Sequence, residues 1–454
     1  MCETIAAIST AYGEGGIGII RISGPEALGI LRRVFVCKGN IASRRMAFGK
    51  IVDPDTDAVI DEVLAVYMKA PTTYTGEDVA EINCHGSVVA LRKTLALVLR
   101  QGARMAEPGE FTKRAFLNGR MDLSQAEAVI DVIKAKADAG YEAALSQMEG
   151  DLSRRVREIR AKVLDILVDL TVNIDYPDED IEKLTYEKLL ADLEDVGDEI
   201  DSLLATAGTG RMIKEGIRVA IVGRPNVGKS SLMNCLLRQS RAIVTEIPGT
   251  TRDTIEEAVS IRDIPVYLID TAGIRETSDL VEMIGIERTK EAFNNADLVV
   301  FIADASQPLT DEDRDILTRL EGRRHLILLN KTDLGNAVTS RDLGDRSPNG
   351  DVIGTCLITG EGIDKIEDKI EELVYGGKLS QKDSVMVNNV RHEELLRKAG
   401  RSIEDAAVIT ETGEALDIIE IDIREAYDYL GEIIGETVSD EVLDEVFSRF
   451  CLGK

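Results

Sequence analysis

The sequence predicts a multidomain chain of α/β and α character, with an α/β domain inserted into a helical one. Its 454 residues exceed what one hydrophobic core holds, a length that suggests about three domains. Short apolar runs between glycine turns open the chain and return from Gly216. Stretches of helical periodicity flank this second set on both sides.

Residues 1–118 alternate β-like runs (ETIAAIST, GIGIIRIS, DEVLAVYM, DVAEINC) with glycine turns and one helical stretch at VVALRKTLALVLR, the pattern of a mixed α/β domain. Residues 119–215 read as the first part of a helical domain. There AEAVIDVIKAKADAGYEAALSQMEGDLSRRVREIRAKVLDILVDLTVNI keeps helical period for about fifty residues, and the acidic YPDEDIEKLTYEKLLADLEDVGDEIDSLL resumes it after a proline turn. Residues 216–379 carry the strands IRVAIVG, IPVYLID, DLVVFIAD and RHLILLN at helix-length intervals, which predicts a parallel sheet covered on both faces. From 380 to 454 helical periodicity returns in HEELLRKAGRSIEDAA, LDIIEIDIREAYDYLGEIIG and SDEVLDEVFSRF.

Composition narrows the function. With 44% hydrophobic and 30% charged residues, the chain reads as an ordinary soluble globular protein. No apolar run has membrane-spanning length, and no basic segment precedes an apolar stretch at the N-terminus, so a cytoplasmic location without membrane association is expected. The six cysteines are scattered, which supports neither a disulfide framework nor a zinc site. A net charge of -28 argues against a basic nucleic-acid surface over the whole molecule. Residues 1–120, however, hold 15 Lys or Arg against 13 Asp or Glu, so an anionic partner is expected at that end.

The sharpest signal is Gly223-Arg-Pro-Asn-Val-Gly-Lys-Ser230, which follows a predicted strand and precedes a helix. Successive backbone N–H groups and the helix N-terminus form a phosphate cradle there. Lys229 is placed to reach the β and γ phosphates, and the Ser230 hydroxyl to hold Mg²⁺. Asp270-Thr-Ala-Gly273 ends a second strand, with Asp270 near the metal through water and Gly273 where the γ phosphate is sensed. Asn330-Lys331-Thr-Asp333 ends another, and the Asp333 carboxylate suits the N1 and N2 donors of guanine, a pair that adenine lacks. Between the first two motifs, Thr250-Thr-Arg-Asp253 supplies Thr251 as a second Mg²⁺ ligand. The four motifs in this order predict GTP binding and phosphoryl transfer by positioning and charge stabilisation.

Two catalytic parts are not evident. Ile274 stands where many such hydrolases use a glutamine to orient water, so a carboxylate is expected from Glu276, Asp279, Glu282 or Glu287. Arg252 and Arg275 lie near the phosphates but read equally well as surface residues of a switch.

Over its full length the chain resembles the MnmE (TrmE) family of tRNA modification GTPases. The segments that carry the resemblance are GGIGIIRISG at 15–24, TYTGEDVAEINCHG at 73–86, PGEFTKRAFLNGRMDLSQAEAV at 108–129, GRPNVGKSSLMN at 223–234, PGTTRD at 248–253, DTAGIRET at 270–277 and the C-terminal FCLGK. It implies an N-terminal α+β folate-binding-like domain, a discontinuous helical domain, an inserted Ras-like P-loop G domain, and a homodimer formed through the N-terminal domain. It also implies a partner, the FAD-dependent MnmG (GidA) flavoprotein, in a heterotetramer that modifies C5 of the wobble uridine in certain tRNAs. An aminomethyl or carboxymethylaminomethyl group is added using a tetrahydrofolate one-carbon unit and ammonium or glycine.

The resemblance also assigns residues. Nucleotide contacts fall on Asn226, Val227, Gly228, Lys229, Ser230 and Ser231, on Thr245, Glu246, Ile247, Pro248, Gly249, Thr250 and Thr251, on Asp270, Thr271, Ala272 and Gly273, and on Asn330, Lys331 and Asp333. A potassium ion falls on Asn226, Thr245, Ile247 and Thr250, where it supplies the charge of an arginine finger. The water-orienting carboxylate falls on Glu282, whose other reading is a helix-start acid. Folate contacts fall on Arg21, Glu81, Arg120 and Lys454, which read alternatively as salt bridges within a domain or dimer interface. Cys451 is either a nucleophile of the modification step or a small apolar neighbour of Phe450. Cys84 is expected to pack beside a folate loop rather than react, and His85 to turn or pack rather than ligate a metal.

The chain departs from the family pattern where Cys356-Leu-Ile stands in place of Ser-Ala-Lys, in the loop that encloses guanine. A GTPase switch in ribosome assembly is the competing function, and it would need none of the folate residues.

Overall fold

The structure is a computed structural model. It describes residues 3–175, 185–239, 241–242, 256–270, 296–335, 337–339, 343, 352–376 and 385–454. At 239, 241, 242, 256 and 270 only the backbone is described. The chain divides into two compact units, one of residues 1–130, 148–164 and 427–454, the other of 131–147 and 165–426.

The first unit is built on β1 (Ile5–Ile8), β2 (Gly15–Ser23), β3 (Phe35–Cys37), β4 (Ala47–Val52), β5 (Val59–Met68), β6 (Val79–Gly86) and β7 (Arg104–Met105). They form one sheet in the order β3-β4-β5-β6-β2-β1-β7. Every pairing is antiparallel except β1 with β7. The helices Ala27–Val34 and Val88–Arg100 place Ile30, Leu31, Val34, Leu91, Leu95 and Val98 in one core with Ile20, Ile22, Val63, Ala80 and Ile82 from the strands. The opposite face of the sheet carries polar and charged side chains of the candidate site. Later in the chain, Leu123, Ala126 and Val129 join Leu443, Phe447 and Phe450 in a separate cluster.

The second unit holds β8 (Ile217–Val222), β9 (Arg241–Ala242), β10 (Glu256–Ile261), β11 (Ile264–Asp270), β12 (Leu298–Asp304), β13 (His325–Asn330) and β14 (Val352–Thr355). Their order is β14-β13-β12-β8-β11-β10-β9, with parallel pairings from β14 through β11 and antiparallel ones at the β10 and β9 edge. This is the Ras-like arrangement. All of β12 is buried because its side chains feed two cores in alternation. Leu298, Val300 and Ile302 enter the core that includes Leu232, Leu236, Ile366 and Ile370. Val299, Phe301 and Ala303 enter the core with Leu317 and Leu320.

Outside that sheet, the helix Tyr186–Leu204 buries Leu189, Leu193, Val196, Ile200 and Leu203, a stripe of helical spacing. The helix Val390–Thr412 buries Leu396, Ala399, Ile403 and Ala406 and packs against it. Gly400 faces Ile200 and Gly197 faces Ile403 in this packing, where an added Cβ would stand at ordinary contact distances of 3.4 and 3.9 Å. The unbroken helical period expected around residues 126–174 resolves into Leu123–Lys134, Asp138–Glu149 and Asp151–Asp175. Gly150 separates the last two with φ +94°, a left-handed break that periodicity does not register. Among the described residues no helix is long and apolar enough to cross a membrane.

Candidate active site for guanine nucleotide and a second, cationic site

β8 ends at Val222, and the chain turns through residues 223–228 into the helix Lys229–Gln239. Gly223 (φ +154°) and Gly228 (φ +116°) need the absence of a side chain as well as their backbone angles. A Cβ would stand 2.4 Å from the Ile302 carbonyl at the first and 2.3 Å from Asn330 Nδ2 at the second. Asn226 takes a left-handed conformation at φ +63° and is exposed. Such a loop aims N–H groups at a helix N-terminus, the arrangement that binds phosphate.

Lys229 is buried at 8% exposure, and its Nζ donates to the carbonyls of Gly223 at 2.6 Å and Arg224 at 2.7 Å. The ammonium thus spans the mouth of the loop. Ser230 and Ser231 follow on the first helical turn, both exposed. Val227 is buried in the core beneath.

Asn330 ties this loop to the base side. Its Nδ2 donates to the Val227 carbonyl at 2.8 Å, and its Oδ1 accepts from the Leu357 N–H at 3.3 Å. Lys331, at φ +66°, donates to Asp304 Oδ2 at 2.7 Å. Burial pushes the Asp304 carboxyl up, but hydrogen bonds from Lys331 and Ser306 outweigh it and hold the group below the usual carboxylate range. Asp333 is exposed beyond them.

Asn226, Val227, Gly228, Lys229, Ser230, Ser231, Asn330, Lys331 and Asp333 therefore stand at one end of the parallel strands. Thr245, Glu246, Ile247, Pro248, Gly249, Thr250, Thr251, Thr271, Ala272, Gly273 and Glu282 lie outside the described residues, as does the side chain of Asp270.

The first unit holds the second site. Arg21 on β2 is paired in register with Glu81 on β6, Nε to Oε1 at 2.9 Å. The Arg21 guanidinium lies 5.2 Å from the Tyr74 ring centre and 5.8 Å from that of Phe111. Arg120 lies 4.9 Å from the same Tyr74 ring and donates to the Tyr74 carbonyl at 2.6 Å. Lys454 Nζ is 6.0 Å from that ring, and the Lys454 carbonyl accepts from the Phe111 N–H at 3.2 Å.

Three cations thus gather round the Tyr74 ring. Burial, then the charge of Arg21, lower the Lys454 ammonium below its ordinary value, against a smaller opposing pull from Glu81. Arg21 Nη1 is buried without a hydrogen-bond partner among the described residues. Tyr74 is the residue that sequence reasoning missed, although it stands in the TYTGEDVAEINCHG segment; its hydroxyl is fixed by Thr112 Oγ1 at 2.8 Å.

Cys451 is exposed. Cys84 is buried in the sheet core, where burial pushes its thiol up to about 11. His85 lies exposed near the end of β6, its Nδ1 2.6 Å from Asp61, and its carbonyl accepts from the Ser87 N–H at 2.7 Å where the chain turns.

Two family models match the chain, the MnmE helical domain over residues 123–451 and the GTP-binding protein TrmE N-terminus over residues 4–120. The tRNA modification GTPase MnmE of Alkaliphilus oremlandii (strain OhILAs) is 50% identical over 457 residues, covering 100% of this chain and 99% of that protein. The chain belongs to the MnmE family of tRNA modification GTPases. The MnmE protein of Clostridioides difficile (strain 630) is 49% identical over 457 residues, with 100% and 99% coverage. Among solved structures, the G domain of the T. maritima FeoB iron transporter is 27% identical over 35% of this chain and 98% of that chain, at a TM-score of 0.27. As an MnmE-family GTPase the chain is a GTP hydrolase.

Proposed function

We propose that this MnmE-family chain is a potassium-stimulated GTPase that acts on tRNA with an FAD-dependent flavoprotein of the MnmG (GidA) family. In this reading the pair adds an aminomethyl or carboxymethylaminomethyl group at C5 of the wobble uridine, in the cytoplasm. The observation that carries the folate part is the unpartnered Arg21 guanidinium nitrogen beside Glu81, Arg120, Lys454 and Tyr74. A reduced folate fits these donors: its glutamate carboxylate suits the cations, its pterin donors suit Glu81, and its ring suits the Tyr74 face. When bound it supplies the one-carbon unit.

At the nucleotide site, Lys229 exchanges its two loop carbonyls for β and γ phosphate oxygens. The Ser230 hydroxyl, exposed at the helix start, and Thr251 hold magnesium, which neutralises phosphate charge. Asn226, with Thr245, Ile247 and Thr250, holds potassium. Glu282 orients the attacking water, and Asp333 reads guanine. Hydrolysis switches contact between two G domains of a homodimer, within a heterotetramer with the flavoprotein, by differential binding to the closed state. Cys451 serves the modification half-reaction.

The working boundaries are 1–118 for folate binding and dimerisation, 119–215 and 380–454 for the helical domain, and 216–379 for the G domain.

The test is reduced-folate affinity by isothermal titration in wild type, R21A and E81A. Loss of affinity in both variants with GTP turnover retained supports the reading. Unchanged affinity contradicts it.

A further inference from the structure

The loop between β3 and β4 lies against the end of β5. Ser43 bridges to Tyr67, the Arg44 N–H donates to the Tyr67 carbonyl at 2.7 Å, and the Ser43 hydroxyl accepts from the Lys69 N–H at 3.0 Å. Arg44, left-handed at φ +59°, sends its guanidinium to the following turn, where Nη2 donates to the Thr72 carbonyl and to the Thr72 hydroxyl, each at 2.7 Å. Residues 43–45 and 69–73 are thus clasped together. The second loop leads straight into Tyr74.

The clasp is cationic. Arg44, Arg45 and Lys69 are exposed, and so is Arg32 on the helix Ala27–Val34. Arg32 belongs to the same end of the sheet: burial, then Asp78, push the Tyr67 hydroxyl up to about 12, and the charge of Arg32 pulls it back. The acids of this region are spent inward. Asp78 accepts from the Tyr67 hydroxyl at 2.7 Å and from the Ala70 N–H at 2.9 Å, while Glu77 pairs with Arg114 at 3.0 Å and accepts from the Ser23 hydroxyl at 2.8 Å. Among the described residues no carboxylate pairs with Arg32, Arg44, Arg45 or Lys69.

In a chain of net charge -28, these cations without counter-charges form a local exception, the electrostatic footprint of a polyanion. Three of them are guanidinium groups, whose planar donor forks match phosphate oxygens. Their spread over two loops and a helix suits the repeated charges of a backbone better than one small anion.

We propose that Arg32, Arg44, Arg45 and Lys69 form a docking surface for the phosphate backbone of tRNA, one loop away from the Tyr74 ring. Such contacts position the RNA and do not read its sequence. The proposal rests on the reading that this chain acts on tRNA.

The experiment is filter binding of a tRNA transcript with a wobble uridine to the full chain, from about 50 to about 200 mM KCl, for wild type, R32A/R45A/K69A and the charge-preserving R32K/R45K/K69R. Arg44 is left in place because it ties the two loops. The alanine variant weakens binding about tenfold at low salt and flattens the slope of log affinity against log salt by about 2 to 3, the share of three phosphate contacts. The charge-preserving variant keeps the wild-type slope. GTP turnover and thermal unfolding are unchanged in both, which shows that they fold.

Wild-type affinity and slope in the alanine variant overturn the docking surface and leave the tRNA reading standing. No tRNA binding by wild type overturns both. Titration with monoglutamyl and pentaglutamyl tetrahydrofolate covers the other polyanion that this end of the sheet could meet. If the alanine variant loses only a preference for the pentaglutamyl form and keeps its tRNA affinity, the proposal is overturned and the clasp belongs to a folate tail.

Discussion

Arg224 and Asp313 form an ion pair in which a single nitrogen, Arg224 Nε, lies 2.9 Å from Oδ1 and 2.8 Å from Oδ2 of the carboxylate. Asp313 is fully buried, and the same carboxylate closes the capping box of the helix Asp311–Leu320 by accepting from the Thr310 N–H at 3.0 Å and hydroxyl at 2.9 Å. The Arg224 carbonyl is one of the two that hold Lys229. A helix start between β12 and β13 therefore fixes the entry of the phosphate loop.

Replacing Asp313 removes the carboxylate half of the capping box, leaving the Thr310 side chain to cap alone, and takes away the partner of Arg224 Nε. D313A should lose about 3 kcal/mol of stability in the G-domain transition, the cost of breaking a buried pair, and should raise KM for GTP. Urea unfolding and steady-state kinetics check this. D313N, which retains an acceptor for Thr310, should lose less stability.

Gly228→Ala should abolish nucleotide binding, because the position combines φ +116° with a Cβ only 2.3 Å from Asn330 Nδ2. Gly208→Ala is the contrast. It lies in the helix Ala207–Glu215 with nothing within 4 Å of an added Cβ, and should stabilise by about 0.5–1 kcal/mol. GDP titration and thermal unfolding distinguish the two outcomes.

The Lys454 ammonium starts below its ordinary value through burial and the charge of Arg21. A folate carboxylate beside it favours the charged form, so binding raises its pKa and takes up a proton at alkaline pH. Affinity should therefore be full below the free-state pKa and fall as pH rises through it. The fall should begin below the usual lysine value of about 10.4. Arginine keeps its charge over this range, so K454R should bind with a flat profile. Folate titrations from about pH 7 to about pH 10 measure both curves.

How much of this was legible in the sequence depends on range. β8, β11, β12 and β13 read directly as continuous apolar runs because both faces of that sheet are covered. β3, β7 and β9 run only two or three residues, and β14 only four, too short for periodicity to register. The glycine turn from β8 into the helix Lys229–Gln239 and the NKxD segment at the end of β13 were legible because each is a fixed spacing along the chain. Arg224 with Asp313, and Tyr74 beneath Arg21, Arg120 and Lys454, were not. Each pairs positions that only the fold brings together, and each partner alone is an ordinary residue.

The most direct test of the account is the steady-state GTP hydrolysis rate of wild type and N226A in KCl and in NaCl, at equal ionic strength. The account predicts a large potassium advantage for wild type that N226A loses, with GTP binding retained. Equal rates of wild type in the two salts would contradict the cation site at Asn226 and return the missing positive charge to Arg252, Arg275 or a partner.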